Sequence, residues 1–252
     1  MDIHPSALIH PEARLANSVK VGPLVVIEAD VEVGENSILE TGTILYSGSR
    51  IGKNCKLGPY AIVGGTPMDS HYAGETSYAV LEDNVELREF VTVHKATGGG
   101  AETRIGEGSM IMTYTHITHN CRVGKGVTLV TSVQLGGHCE VGDYAFVGST
   151  TIMHQFCRIG AYAVTGGGTA SNQDILPFSM VYGMPAKHLR LNKVGLERRG
   201  FSKERYRYLE KAIRAFRRRD WALLEQLAQE SEDVQKILDF KNSSQRGICG
   251  FV

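Results

Sequence analysis

Five histidines in the middle of the chain are the residues whose chemistry stands out first: His94, His116, His119, His138 and His154. Imidazoles on a rigid scaffold either bind zinc or move protons, because the neutral ring nitrogens are metal ligands and titrate near neutral pH. Zinc needs three convergent nitrogens, which His116, His119 and a histidine of another chain could supply. The role of these residues therefore depends on the elements that position them.

A six-residue repeat predicts those elements. Stepping six residues at a time from Ile3 to Thr165 gives 28 positions, of which 24 are aliphatic; the exceptions are Asp69, Glu75, Gly99 and Thr165. A second column, four residues further on, holds small or β-branched side chains through most of this range, and glycine often follows the aliphatic residue. A period of six fits no helix. It fits a short strand with a tight bend, where glycine provides backbone freedom.

One strand face cannot bury its own apolar row, so we expect three faces to close a triangular coil of about 18 residues and the coils to stack. Residues 64–80 and 94–104 break the pattern and are expected to form loops outside the coil, and the repeat fades after residues 166–168. We predict a β-helix domain over residues 1–186 and an α-helical domain over residues 187–252. Ser202, Asp220 and Ser231 are its expected N-caps.

The 18-residue coil brings His119 next to Gly137 on the following coil. All five histidines fall outside the two inward columns, so they are expected at corners or on outer faces. An imidazole beside an open backbone amide is a minimal set for acyl transfer, since one supplies a base and the other an oxyanion donor. Cys121, Cys139 and Cys157 are also 18 residues apart, but they occupy the small-residue column and are predicted to be core rather than a metal site.

The composition excludes several classes of protein. The sequence has no long apolar stretch for a membrane span and no signal peptide at its N-terminus, and its five cysteines contain no CxxC pair, which suits the cytoplasm. Residues 1–186 carry 11 Lys and Arg against 18 Asp and Glu, whereas residues 187–252 carry 16 against 9. The basic tail is either a solvated helical surface or a docking patch for an acidic carrier protein, a nucleotide or a nucleic acid.

Four motifs point to a family. The stretch from His116 to Gly124 (HITHNCRVG), the LGGH and HQFCRIG segments that follow, and NKVGLERRGFS at residues 192–202 together resemble the UDP-N-acetylglucosamine O-acyltransferase family of lipid A biosynthesis. The resemblance extends from Ile3 to about Gly247. It implies a left-handed β-helix assembled as a homotrimer, with active sites between subunits. It also implies transfer of an R-3-hydroxyacyl chain from acyl carrier protein to the glucosamine 3-hydroxyl of UDP-N-acetylglucosamine, with no cofactor beyond the carrier's phosphopantetheine arm and with no metal or nucleic acid.

The resemblance also assigns roles to individual residues. His119 matches the general base and Gly137 the oxyanion amide. The residues matched to the sugar nucleotide or the acyl group are Asp69, His116, His138 and Gln155, with His94 and His154 in the same cleft. Asn192, Arg198 and Arg199 match positions toward the uridine, the phosphates or the carrier arm, and Arg suits a diphosphate because its planar fork binds two oxygens. Gly167 matches a position that gates chain length, so we expect a longer hydroxyacyl chain.

Two departures from the family's pattern leave alternatives open. Asn120 follows the base where the family often has Asp, which weakens the charge support for an imidazolium. His71 stands where Lys is common, so a fixed positive charge becomes dependent on pH. A 3-amino sugar nucleotide needs less help from a base and is therefore an alternative acceptor. Another acyl donor such as coenzyme A, a zinc enzyme of the carbonic anhydrase type and a catalytically silent scaffold are the remaining alternatives.

Overall fold

A triangular parallel β-helix forms most of the molecule in the computed structural model, which describes residues 2–252. Each short strand pairs in parallel with the strand one coil away, so that His116 lies opposite Gln134 and Ile117 opposite Leu135. These partners are 18 residues apart, as the repeat predicts. The strands, numbered in chain order, form three sheets, one on each face of the triangle.

The first sheet contains β1 (Asp2–Ile3), β4 (Lys20–Val21), β7 (Ile38–Leu39), β10 (Lys56–Leu57), β13 (Glu86–Leu87), β16 (Met110–Ile111), β19 (Thr128–Leu129), β22 (Phe146–Val147), β25 (Val164–Thr165), β27 (Ser179–Tyr182) and β28 (Lys187–Leu191). The second contains β2 (Leu8–Ile9), β5 (Val26–Ile27), β8 (Ile44–Leu45), β11 (Ile62–Gly65), β14 (Thr92–His94), β17 (His116–Ile117), β20 (Gln134–Leu135), β23 (Ile152–Met153) and β26 (Ala170–Ser171). The third contains β3 (Arg14–Leu15), β6 (Glu32–Val33), β9 (Ser49–Ile51), β12 (Tyr78–Leu81), β15 (Glu102–Ile105), β18 (Arg122–Val123), β21 (Glu140–Val141) and β24 (Arg158–Ile159).

Within the coils, both inward columns are buried from Val19 onward, whereas Ile3 of the first coil is 42% exposed. The aliphatic residues of successive coils, such as Leu87, Ile111 and Leu129, are fully inaccessible to solvent. Hydroxyl groups in the small-residue column form hydrogen bonds to the backbone. Thr115, for example, donates to the Val130 carbonyl at 3.1 Å. Cys121, Cys139 and Cys157 are free and buried, and burial raises the pKa of the Cys121 thiol to about 11. The prediction that these cysteines are core residues is confirmed.

Two loops interrupt the coil, and both are shorter than expected. Val63 pairs with Val93, and Val93 pairs with Ile117, so a strand pairing is maintained across each insertion. The backbone of residues 64–65, 78–80, 94 and 102–104 belongs to strands β11, β12, β14 and β15. The expected loops 64–80 and 94–104 therefore contract to 66–77 and 95–101, because backbone pairing with neighbouring coils continues after the apolar columns become irregular. Both loops leave the same corner, between the second and third sheets.

The C-terminal region caps the last coil. A hairpin of β27 and β28 pairs antiparallel at the end of the first sheet, so part of the segment expected to be helical, Lys187–Leu191, is a strand. The helices are α1 (Lys193–Arg198), α2 (Lys203–Arg218), α3 (Trp221–Glu230) and α4 (Glu232–Asn242). Within residues 2–252 no helix is long and apolar enough to cross a membrane.

Helix capping follows the sequence in two of the three expected places. The side chain of Ser202 accepts from the Arg205 amide and that of Asp220 from the Leu223 amide. Ser231 ends α3 and precedes α4 but makes no side-chain capping bond. The helices bury Leu196, Leu209, Leu224 and Ile237 in one cluster with Leu176 and Phe178 of the last coil, which covers the open end of the β-helix.

Candidate active site

The corner between the second and third sheets carries His119 and is named here the His119 corner. On three successive coils it holds His119 and Asn120, then Gly137 and His138, then Gln155 and Phe156. Because both loops leave the β-helix at this same corner, they fold over the first of these coils. His119 is consequently buried, with 8% of the residue exposed, rather than lying on an open outer face as the repeat alone suggests.

Asn120 determines which nitrogen of His119 carries the proton. Its Nδ2 donates to the Thr97 carbonyl and its Oδ1 accepts from the Thr97 amide, each at 2.9 Å. The amide group is therefore fixed in one orientation, with Oδ1 2.9 Å from Nδ1 of His119. An amide oxygen only accepts, so Nδ1 must be protonated and Nε2 must hold the free lone pair. The arrangement leaves His119 in the tautomer that a general base at Nε2 requires.

Asp69, from the 66–77 loop, adds a carboxylate near this imidazole. Its Oδ2 lies 3.7 Å from Nδ1 of His119. Its Oδ1 accepts from the backbone amide of His71 at 3.0 Å and lies 2.9 Å from Nδ1 of the same residue. These bonds to His71, with smaller contributions from Thr97 and His119, lower the pKa of Asp69 to about 2. Asp69 is thus ionised near neutral pH and supplies the negative charge that Asn120 lacks.

Gly137 lies directly against the ring of His119. A β-carbon built at residue 137 would lie 2.5 Å from both Cε1 and Nε2 of the imidazole, so only glycine lets the ring occupy this place. The Gly137 amide donates no hydrogen bond among residues 2–252, whereas its carbonyl accepts from Phe156. The pairing expected from the 18-residue spacing is thereby present: an unprotonated Nε2 beside an open backbone donor.

Aromatic rings surround this pair. His138 meets His119 edge to face at 5.3 Å between ring centroids and stacks on Phe156 at 4.6 Å. Burial is the main cause that lowers the pKa of His138, and the neighbouring His119 lowers it further. A second edge-to-face pair joins His94 and His116 at 5.1 Å. Burial, together with the neighbouring His94, lowers the pKa of His116. All four imidazoles lie along the second sheet and its corner.

The remaining candidates of this region are spread along the helix axis. His154 and Gln155 are on the coil after Gly137, and a β-carbon at Gly136 would touch the Gln155 backbone. His71 is highly exposed on its loop. Gly167 lies at a different corner, between the first and second sheets, where a β-carbon would approach only Ser149, at 3.2 Å from its hydroxyl and 3.6 Å from its carbonyl oxygen.

Asn192, Arg198 and Arg199 lie apart from the His119 corner. They line a cavity of about 790 Å³ with Tyr144 and Tyr162, beside the first sheet. The Arg199 guanidinium covers the Tyr144 ring at 4.2 Å. Asn192 caps α1 by accepting from the Gly195 amide and donates to the Tyr162 carbonyl, so its side chain is occupied within the chain. The structure therefore divides the residues expected to form one site between two separate places.

Metal binding at the His119 corner involves a different set of residues from the one considered above. The ligand atoms of Asp69, His119 and His138 lie within 4.8 Å of one another, whereas Nδ1 of His116 lies 2.6 Å from the hydroxyl of Thr92. The His119 nitrogen closest to Asp69 is Nδ1, which carries the proton required by the Asn120 contact. A protonated nitrogen cannot ligate zinc. Nδ1 is thereby excluded as a metal ligand, and Nε2 is the one nitrogen of His119 whose lone pair is free for a proton or a metal.

Several contributors were not identified from the sequence. Thr97 holds Asn120, and Glu75 stabilises the two loops by accepting from the amides of Gly98 and Ala73. The Gly98 amide is the main reason that the pKa of Glu75 is lowered. Glu75 and Gly99 break the aliphatic column, and that interruption is the available signal that this stretch does something other than pack a core.

Comparison with known proteins agrees with this arrangement. Residues 174–249 match the family model described as Udp N-acetylglucosamine O-acyltransferase, Domain 2, and residues 30–65 and 102–137 match the bacterial transferase hexapeptide model. The acyl-[acyl-carrier-protein]–UDP-N-acetylglucosamine O-acyltransferase of Halorhodospira halophila is 42% identical over 254 residues, covering 98% of each chain. The enzyme of the same name from Thermodesulfovibrio yellowstonii is 37% identical, covering 98% of this chain and 99% of its own.

Solved structures agree over the whole fold. The UDP-N-acetylglucosamine acyltransferase of Francisella novicida superposes with a TM-score of 0.95 at 32% identity, covering 98% of this chain and 94% of its own. That of Campylobacter jejuni gives 0.91 at 33% identity with both chains fully covered. The predicted fold class, a left-handed parallel β-helix with a C-terminal helical region, is confirmed. By full-length similarity, this chain belongs to the acyl-[acyl-carrier-protein]–UDP-N-acetylglucosamine O-acyltransferase family.

Proposed function

We propose that this protein transfers an R-3-hydroxyacyl chain from acyl carrier protein to the glucosamine 3-hydroxyl of UDP-N-acetylglucosamine, the first step of lipid A biosynthesis. The observation that carries the proposal is the pair formed by the free Nε2 of His119 and the open amide of Gly137. The full-length relatives are named for the same acceptor and the same carrier, which supports the proposal. The reaction uses no resident cofactor; the acyl group arrives on the carrier's phosphopantetheine arm.

His119 acts as the general base. Nε2 takes the proton of the 3-hydroxyl while that oxygen attacks the thioester carbonyl carbon, so the new C–O bond forms as the O–H bond breaks. The positive charge that develops on the imidazole is stabilised by the Asp69 carboxylate, 3.7 Å from Nδ1. The ring keeps its orientation because Asn120 accepts the Nδ1 hydrogen at 2.9 Å.

Gly137 stabilises the tetrahedral intermediate. Its amide, which has no hydrogen-bond acceptor among residues 2–252, donates to the oxyanion formed from the thioester carbonyl. When the intermediate collapses, the C–S bond breaks and the imidazolium returns its proton to the thiolate of the carrier arm. His119 is then neutral again and Asp69 is still ionised, as at the start, so the catalytic cycle is complete.

The active site lies between two subunits of a homotrimer in this proposal. Support comes from the separation within one chain of the His119 corner from the cavity lined by Asn192, Arg198 and Arg199. A neighbouring copy would bring its arginines to the diphosphate or the carrier arm while His119 handles the sugar. The sugar nucleotide or acyl group also meets Asp69, His71, His94, His116, His138, His154 and Gln155. Acyl carrier proteins are acidic, which suits the basic surface of residues 187–252.

Chain length and location are part of the same proposal. Gly167 leaves its corner of the β-helix open, since a β-carbon there meets only Ser149 within 4 Å. The enzyme is therefore expected to accept longer hydroxyacyl chains, and a series of acyl carriers of increasing length would reveal a preference for short chains if this is wrong. The five free cysteines suit a reducing compartment, and we place the enzyme in the cytoplasm.

The decisive assay supplies three combinations of substrate to the purified protein. Hydroxyacyl carrier protein with UDP-N-acetylglucosamine should give the O-acylated product. The same donor with the 3-amino sugar nucleotide tests the alternative acceptor, and hydroxyacyl-coenzyme A with UDP-N-acetylglucosamine tests the alternative donor. Clear preference for the amine or for coenzyme A would replace the proposed reaction by the corresponding alternative. Elemental analysis of the same sample should find no stoichiometric zinc, and one zinc per chain would favour hydrolytic or hydration chemistry instead.

A further inference from the structure

The C-terminal segment, residues 243–252, returns from α4 to the last coils of the β-helix. Backbone bonds hold it there: the Asp174 amide donates to the Gly247 carbonyl at 2.8 Å, and the Cys249 amide donates to the Asp174 carbonyl at 2.9 Å. The His188 amide donates to the Gly250 carbonyl at 2.8 Å. Arg246, immediately before this bonded stretch, is therefore presented from a fixed backbone rather than from a free tail.

Arg246 reaches the candidate site from this segment. Its Nη2 lies 3.0 Å from Nδ1 of His154, and its Nε donates to the Asn172 carbonyl at 3.3 Å. Asn172 is one coil beyond His154, so the guanidinium bridges two coils next to the corner that carries Gln155. Half-buried and held at two of its nitrogens, Arg246 is an ordered neighbour of His154.

The contact has a consequence for the protonation of His154. A guanidinium has no acceptor and stays protonated, so it is attracted only to an unprotonated Nδ1. The Gln155 carbonyl lies 3.2 Å from the same Nδ1 and favours the opposite tautomer, in which Nδ1 carries the hydrogen. Charge-assisted hydrogen bonds are about twice as strong as neutral ones, and the arginine contact is also the shorter of the two. The Arg246 contact therefore favours the tautomer of His154 in which Nδ1 is unprotonated.

We infer that Arg246 is a positioning residue that holds His154 as the Nε2–H tautomer, ready to donate a hydrogen bond to an acceptor oxygen of the substrate. Nε2 of His154 has no partner among residues 2–252, and the residue is exposed. The role in substrate binding rests on the proposed function, whereas the tautomer is a property of the free protein. Arg246 thereby reaches the site from a position 92 residues away from His154 in the chain.

The direct test is ¹⁵N NMR of histidine side chains in the full-length protein without substrate, with the His154 signals assigned by their loss in His154→Gln. The native protein should show an unprotonated Nδ1 and a protonated Nε2. Arg246→Met should reverse the two, because the Gln155 carbonyl then has no competitor. Arg246→Lys should keep the native pattern, since an ammonium also only donates. Arg122→Met is the matched control, at an exposed arginine on the third sheet, and should change nothing.

Kinetics separate this inference from the proposed reaction. Arg246→Met should raise KM roughly three- to tenfold with little change in kcat, the effect of losing one neutral hydrogen bond to bound substrate, and Arg246→Lys should restore KM. Unchanged His154 signals in Arg246→Met would overturn the inference even if activity fell. A native enzyme that is inactive with the proposed substrates would overturn the proposed function, while a tautomer reversal would still support the structural role of Arg246.

Discussion

At His119, the proton on Nδ1 is the detail from which the proposed chemistry follows. Asn120 carries no charge, and the sequence alone suggests a weaker base. The structure shows two separate contributions: Asn120 fixes the tautomer through its bonds to Thr97, and Asp69 provides the charge from a different loop. Sequence spacing could predict the neighbours His119 and Gly137, because the coil period relates them. It could not predict Asp69, because the conformation of the 66–77 loop follows no period.

The residue-scale prediction concerns Asp69→Asn. Removing the anion 3.7 Å from His119 makes the imidazolium less favourable, so kcat should fall about tenfold and the acidic limb of the pH–rate profile should move to lower pH. The variant keeps an oxygen for the His71 contacts, which limits structural damage. Glu28→Gln, a carboxylate on an early coil, serves as the control. A kcat equal to that of the native enzyme would show that Asp69 contacts substrate without supporting the base.

Among the elements, the coils were predictable and the caps were only partly so. Every sixth residue points inward, so strands and corners follow from the sequence of apolar residues up to Thr165, which is itself buried and hydrogen-bonded to Thr151. The antiparallel hairpin of β27 and β28 has no such period and was not predicted, whereas the short helix α1 lies within residues 187–252, which were predicted to be helical. They form because the last coil must satisfy its backbone edge and cover Leu176 and Phe178.

The cap also contains a buried histidine that links stability to pH. His188 is 1% exposed; its Nδ1 donates to the Cys249 carbonyl, and its Nε2 accepts from the Leu176 amide. A second proton would face that amide donor. Burial lowers the pKa of His188 from its ordinary value of 6.5 to about 4. The unfolded chain binds the proton more readily. The contribution of His188 to the free energy of unfolding is therefore fully present above pH 6.5 and is lost as the pH falls from 6.5 toward 4.

Thermal or denaturant unfolding between pH 7 and pH 4 measures this loss. By pH 4 the loss of unfolding free energy due to His188 should be of the order of 3 kcal/mol. His188→Gln keeps one donor and one acceptor but cannot titrate, so its stability should vary less with pH. His4→Gln, at an exposed histidine, should retain the native pH dependence. Equal slopes for the native protein and His188→Gln would exclude His188 as the source.

At the scale of the whole molecule, the important feature is the distance between the parts of the proposed site. His119 lies at the corner between the second and third sheets, whereas Arg198 and Arg199 belong to a cavity beside the first sheet and the helices. The resemblance indicated both His119 and the two arginines as site residues. No pattern in the sequence shows that they lie at separate places within one chain. That separation is a property of the closed triangle, which points its faces in different directions.

Mixed oligomers test the proposal that neighbouring subunits share each site. His119→Ala and the double variant Arg198→Ala/Arg199→Ala should each be nearly inactive alone. When the two are refolded or expressed together, about a quarter of the sites should combine an intact His119 with intact arginines, and activity should return to roughly that fraction. Two preparations mixed without subunit exchange are the control. No recovery in verified hybrids would mean that each subunit works alone.

The most direct measurement of the central claim is the turnover of His119→Gln and His119→Ala with hydroxyacyl carrier protein and UDP-N-acetylglucosamine. Gln keeps a donor toward Asn120 but has no titrating nitrogen, so both variants should lose kcat by roughly 100- to 10,000-fold. Binding of the sugar nucleotide, the circular dichroism spectrum and the oligomeric mass should match the native protein. A kcat within a few-fold of native in either correctly folded variant would contradict the assignment of His119 as the general base.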